Sequence, residues 1–230
     1  MGWLCILSFC SIRIVGSAVL LHAEAAHTAS TSGFLLSNIG LSPLLIGAVG
    51  ILHEARLARD PSLQRRREWF FVLKYHGLVS VGLILTIIGV VEMMNGKGGD
   101  SAKVLRKIGA LIVLLCWSLL IVWVRLSMWS QQKVNAAAYA DGTKLLYGVA
   151  AALPFLGFRE IYAVCSAFIT SPGFTSSLAA KVCLSVVPEM IVTIILAAAG
   201  IVTRDISKAI KKGDAESGGD YMAMPLRDGL

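Results

Sequence analysis

Charge is scarce in this chain. Only 15% of its 230 residues are Asp, Glu, Lys or Arg, against about 25% in a soluble globular domain. With 56% apolar residues and a mean hydropathy of +0.74, that shortage excludes a soluble enzyme and a nucleic-acid-binding domain. No hydrophilic stretch is long enough to fold as a second domain. The five cysteines (Cys5, Cys10, Cys116, Cys165 and Cys183) never form a C-x-x-C pair, and all lie in apolar runs. They read as small core residues, and neither a zinc site nor a disulfide framework is indicated. His22, His27, His53 and His76 show no metal-ligand spacing beside carboxylates. The Gly96-Lys97-Gly98-Gly99 turn lacks the frame of a phosphate-binding loop. Neither a complete catalytic motif nor a cofactor motif occurs.

What the chain has is long apolar runs. Six are readable, at roughly Trp3–Leu21, Phe34–Leu52, Phe70–Val91, Ile108–Met128, Leu145–Ile169 and Lys181–Thr203. Helices of this length cross about 30 Å of hydrocarbon. The expected fold is all-α, a polytopic transmembrane helix bundle over residues 1–212. A disordered tail rich in Gly, Asp and Ser follows over 213–230. The first run is read as a span and not as a leader, although Ala23-Glu24-Ala25 resembles a cleavage site. No basic residue precedes it, and Arg13 interrupts it.

Orientation follows from the basic residues. The segments after the second and fourth runs and the tail carry twelve Lys and Arg, against five on the opposite side. The excess places both termini of this chain in the cytoplasm. Within it, Arg65-Arg66-Arg67 is a topology signal whose alternative use is contact with anionic lipid heads.

The informative residues are the ionisable groups inside the runs: Arg13 in the first, Arg159 and Glu160 in the fifth, and Glu189 in the sixth. Four such groups facing lipid would cost roughly 10 kcal/mol, so they must face a bundle interior and have partners. By helix rise, Arg13, Glu160 and Glu189 all lie about 12–14 Å below the outer boundary. Arg159, Tyr162 and Ser166 form one helical stripe, and Ser185, Glu189 and Thr193 another. A polar cluster of Arg13, Arg159, Glu160, Tyr162 and Glu189 is therefore expected. Pro43, Pro154 and Pro188, with Asn38 and Ser42, mark positions where a helix break would line a cavity.

At these residues the chain resembles a known family. Gly2-Trp3, Phe9-Cys10-x-x-Arg13-Ile14-x-Gly16, Asn38-x-Gly40-Leu41-Ser42-Pro43-Leu44, Pro154-Phe155-x-x-x-Arg159-x-x-Tyr162 and Pro188-Glu189 resemble fungal multispanning membrane proteins of unknown function. The resemblance covers nearly the whole chain and implies a seven-span form with one more span before Gly2-Trp3. It implies no substrate. The plan is also similar, by analogy of architecture, to fungal lipid-translocating exporters.

Three functional readings remain open at this point. In the first, the polar cluster binds or translocates a small amphipathic or lipid-like molecule. In the second, the chain is a membrane-embedded cyclase. A carboxylic acid kept neutral in a low-dielectric cavity can protonate an olefin or epoxide, and Glu160 or Glu189 would serve. The third is a receptor-like or structural bundle.

Overall fold

The computed structural model describes residues 2–25, 41–60, 65–96, 99–129, 139–169 and 182–203. Asn38 and the tail from Gly213 lie outside the described residues. Six α-helices follow in order: α1 (Gly2–Ala25), α2 (Leu41–Arg59), α3 (Arg65–Met94), α4 (Asp100–Trp129), α5 (Tyr139–Phe168) and α6 (Val187–Val202). A π-helical turn, Val182–Val186, leads directly into α6. All regular structure among the described residues is helical. Five segments, α1, α3, α4, α5 and α6 with its π turn, are long and apolar enough to cross a membrane.

The outward surface is that of a membrane helix bundle. Along α4, Leu111, Leu115, Leu119, Val122 and Leu126 are 45–58% exposed, at the three- and four-residue steps of one helix face. On the opposite face Ala110, Val113, Cys116, Leu120, Val124 and Ser127 are buried. A soluble monomer does not tolerate an apolar face of that extent; lipid does.

α2, which is not among the five candidate spans, lies deepest. On α2, Leu44, Leu45, Ala48, Val49, Ile51, Leu52 and Ala55 have no exposed surface. α2 packs against α1, α3 and α5, and α5 in turn packs against α4 and α6. The second run therefore differs from its expected bounds: the helix is described from Leu41 and winds past Leu52 to Arg59. The extension is held because its charges find partners. Arg56 bonds the Glu68 carboxylate on α3 at 2.9 Å and the Ser127 hydroxyl on α4 at 2.8 Å. Arg59 donates to the Ser127 carbonyl at 3.0 Å. Two of the cations counted as loop charges thus join three helices. Trp3 likewise turns inward, donating to Glu54 at 3.0 Å, with its ring seated where a Cβ on Gly200 would collide.

α3 and α4 touch through small residues. A Cβ on Gly109 would come 2.7 Å from the Gly82 carbonyl oxygen, and one on Gly89 would come 2.7 Å from the Ala102 carbonyl oxygen. Each helix repeats its small residue after seven positions, which keeps one seam facing its neighbour and lets the backbones approach closely.

Candidate functional site

Glu189 is positioned by a local irregularity. Pro188 lacks the N–H of an α turn, and its ring presses on the carbonyl four residues back. The wider π winding of Val182–Val186 accommodates that ring, and Pro188 and Glu189 both end up buried in the first turn of α6. Thr193 bonds the Glu189 carbonyl at 2.8 Å. The Glu189 side chain is 3% exposed and faces the bundle interior.

There Glu189 is shared by two arginines. One carboxylate oxygen accepts from Arg159 Nε on α5 at 2.7 Å, and the other accepts from Arg13 Nη2 on α1. Glu189 and the Arg159 side chain are 3% and 5% exposed, whereas Arg13 is 22% exposed. α1, α5 and α6 are thus joined through one carboxylate. Arg13 also lies over the Phe9 ring at 5.8 Å.

The triad separates two cavities. Between α1 and α6, a space of about 400 Å³ is lined by Phe9, Arg13, Ser17, Glu189 and Thr193 among others. Between α3, α4 and α5, a cavity of about 270 Å³ has Arg159, Glu160, Tyr162 and Ser166 along one wall. The facing walls are mainly apolar: Leu83, Val90, Met93 and Met94 from α3, and Ala110 and Val113 from α4. The stripe Arg159, Tyr162, Ser166 therefore lines a single space. Glu160 has no exposed surface, and neither of its carboxyl oxygens has a hydrogen-bond partner among the described residues.

The structure brings Arg13, Arg159 and Glu189 into direct contact. It sets Glu160 and Tyr162 on the cavity beside them. The prolines have separate settings. Pro43 lies in the first described turn of α2. Ser42 belongs to the same turn. Pro154 is inside α5 and lines an outer groove between α4 and α5. Nearby, Trp117 donates to the Leu153 carbonyl at 3.0 Å, with its ring seated against Gly157. No grouping of three metal-ligating side chains occurs among the described residues.

Arg106 is the site residue that sequence reading missed. It is one of the five basic residues assigned to the side opposite the termini, yet α4 begins at Asp100 and Arg106 lines the α3–α5 cavity. It donates to the Ser166 carbonyl at 2.6 Å. The available signal was its place seven residues before the apolar face at Val113, on the same side of an α-helix.

Apolar outward faces around a buried ionic triad define an integral membrane helix bundle. A family model described as "Domain of unknown function (DUF7702)" matches residues 1–206, and the chain belongs to that family. No curated protein and no solved structure matches it.

Proposed function

We propose that the protein binds a small amphipathic or lipid-like molecule within the bilayer, in the cavity between α3, α4 and α5. The observation that carries this reading is the cavity's composition: about 270 Å³ of mainly apolar wall, with polar groups from Arg159, Glu160, Tyr162 and Ser166 on α5 and from Arg106 on α4. An apolar space bearing a few convergent polar groups is the usual form of a small-molecule site. The ionic triad keeps α5 fixed against α1 and α6, so that the polar wall is preformed.

The test is native mass spectrometry of the protein purified in mild detergent. A stoichiometric small-molecule adduct is expected, and Ala163→Phe, which fills the cavity, should abolish it while the protein stays folded. Absence of an adduct, or an adduct that survives the filled cavity, overturns the reading.

A cyclase is favoured by one observation, the unpartnered Glu160 carboxyl on the cavity. Glu189 is unsuited to proton donation because both its oxygens are engaged by arginines. Turnover of an olefinic terpenoid that is lost in Glu160→Gln would favour this reading over simple binding.

We further infer that both termini of this chain face the cytoplasm, on the strength of the basic-residue count. The Arg65-Arg66-Arg67 segment at the start of α3 would then meet anionic lipid heads of the inner leaflet.

A further inference from the structure

Glu160 is the anomaly of the fold. A buried carboxyl with neither oxygen hydrogen-bonded is costly, and native structures rarely keep one without a use. Its neighbour in the chain, Arg159, is turned to Glu189 instead. Glu160 lies on the wall of the α3–α5 cavity, at its covered end. At the other end, Met93 and Met94 are 36% and 45% exposed, and Arg106 bonds Ser166. From Glu160 to Ser166 along α5 is about 9 Å by helix rise.

The cavity's size bounds the ligand. A dry apolar cavity of about 150 Å³ holds benzene. By proportion, a cavity of about 270 Å³ holds an apolar body of about ten carbons. The charges nearby select the head group. Arg13 and Arg159 face one carboxylate, Glu189, and Arg106 also lines the cavity, so positive charge is in excess there even with Glu160 ionised and opposes a cationic head. An anionic head at the covered end would meet the Glu160 carboxyl itself. A hydroxyl carries no charge and both donates and accepts, so it satisfies that carboxyl in either protonation state.

We propose that this cavity is a site for a neutral apolar alcohol, its hydroxyl on the Glu160 carboxyl and about ten carbons held between α3, α4 and α5. The inference rests on the proposed binding function and specifies its ligand class. Arg106 and Ser166 mark the end where the chain of the alcohol leaves the cavity.

The probes are a ten-carbon primary alcohol carrying a diazirine and the matching diazirine alkane without the hydroxyl. Each is irradiated with the full chain in phosphatidylcholine nanodiscs, and labelled peptides are mapped by mass spectrometry. The alcohol should label the α3–α5 cavity at least about tenfold more than the alkane, the discrimination of one hydrogen bond to a buried polar group that otherwise has none. Glu160→Leu should erase that preference, and Glu160→Gln, which keeps a donor and an acceptor, should retain most of it. Glu160→Leu breaks no hydrogen bond among the described residues, and its unfolding temperature is read alongside the labelling. Should that variant fail to fold, the alcohol-to-alkane ratio on the parent and on Glu160→Gln still decides. Equal labelling of the cavity by alcohol and alkane overturns the assignment of the hydroxyl to Glu160 while leaving a ligand cavity in place. Absence of cavity labelling by either probe overturns both.

Discussion

Replacing Glu189 with alanine removes the one carboxylate that two arginines share. The two cations are left in unlike positions. The Arg159 side chain is 5% exposed and cannot reach water, whereas Arg13 is 22% exposed. Stranding a buried partner costs about 3–5 kcal/mol, and that figure applies to Arg159. Arg13 sits at a partly open helix face and can move toward a wetter environment, so its share is about 1 kcal/mol, as for an exposed pair. Glu189→Ala should therefore destabilise by about 4–6 kcal/mol. One escape route is visible: the freed Arg159 guanidinium can turn to Glu160, its unpartnered neighbour. A Glu160→Leu background closes that route and should restore the full cost. Double-mutant cycles then rank the contacts. Glu189→Met with Arg159→Met leaves no buried charge stranded, so the pair should cost at least about 2 kcal/mol less than the sum of its single changes. The cycle of Glu189 with Arg13 should couple by about 1 kcal/mol or less. Reversible unfolding in mixed micelles, followed by tryptophan fluorescence, gives both couplings. Additivity in the Arg159 cycle, or a stronger coupling to Arg13, would refute the assignment of Arg159 as the buried partner.

Other consequences follow from the packing. Gly109→Leu drives a side chain into Gly82 and Thr86 of α3 and should destabilise by about 1–3 kcal/mol; an unchanged melting temperature by size-exclusion readout would show that the α3–α4 seam is not close-packed. Arg56→Met strands Glu68, which is 6% exposed, and should cost about 2 kcal/mol, with much of it recovered in the Arg56→Met/Glu68→Met double change. A reporter fused after Leu230 and another inserted before Arg65 should both be cytoplasmic; finding both outside would invert the topology.

Helix count, span placement and the existence of an intramembrane polar cluster are written in local pattern. An apolar run of sufficient length has no alternative in lipid but to satisfy its own backbone as a helix. An ionisable residue in such a run has no alternative but an interior partner. Depth along each run could therefore be computed from rise per residue before any packing was known. The stripe Arg159, Tyr162 and Ser166 was legible for the same reason, since a helix face is fixed by sequence spacing alone.

Partner choice and burial were not local and could not be read that way. Glu160 and Glu189 sit at nearly one depth, and nothing in the sequence says which of them receives Arg159. The rotation of α5 against α6 decides it, giving both Glu189 oxygens to arginines and leaving Glu160 on the cavity. The charged end of α2 resembled a loop because Arg56 and Arg59 look like topology signals. Only the approach of Ser127 and Glu68 from other helices made a continuous buried helix cheaper than an exposed turn. Arg106 was hidden likewise, its partner being a backbone carbonyl, which has no signature in the sequence. Sequence alone determined which segments are helical and which residues cannot face lipid, because those follow from the chain's own solvation. The rotation of α5 against α6 decided which charges meet and which one is left to face a cavity, because such contacts depend on how separate helices pack and not on any one segment's solvation.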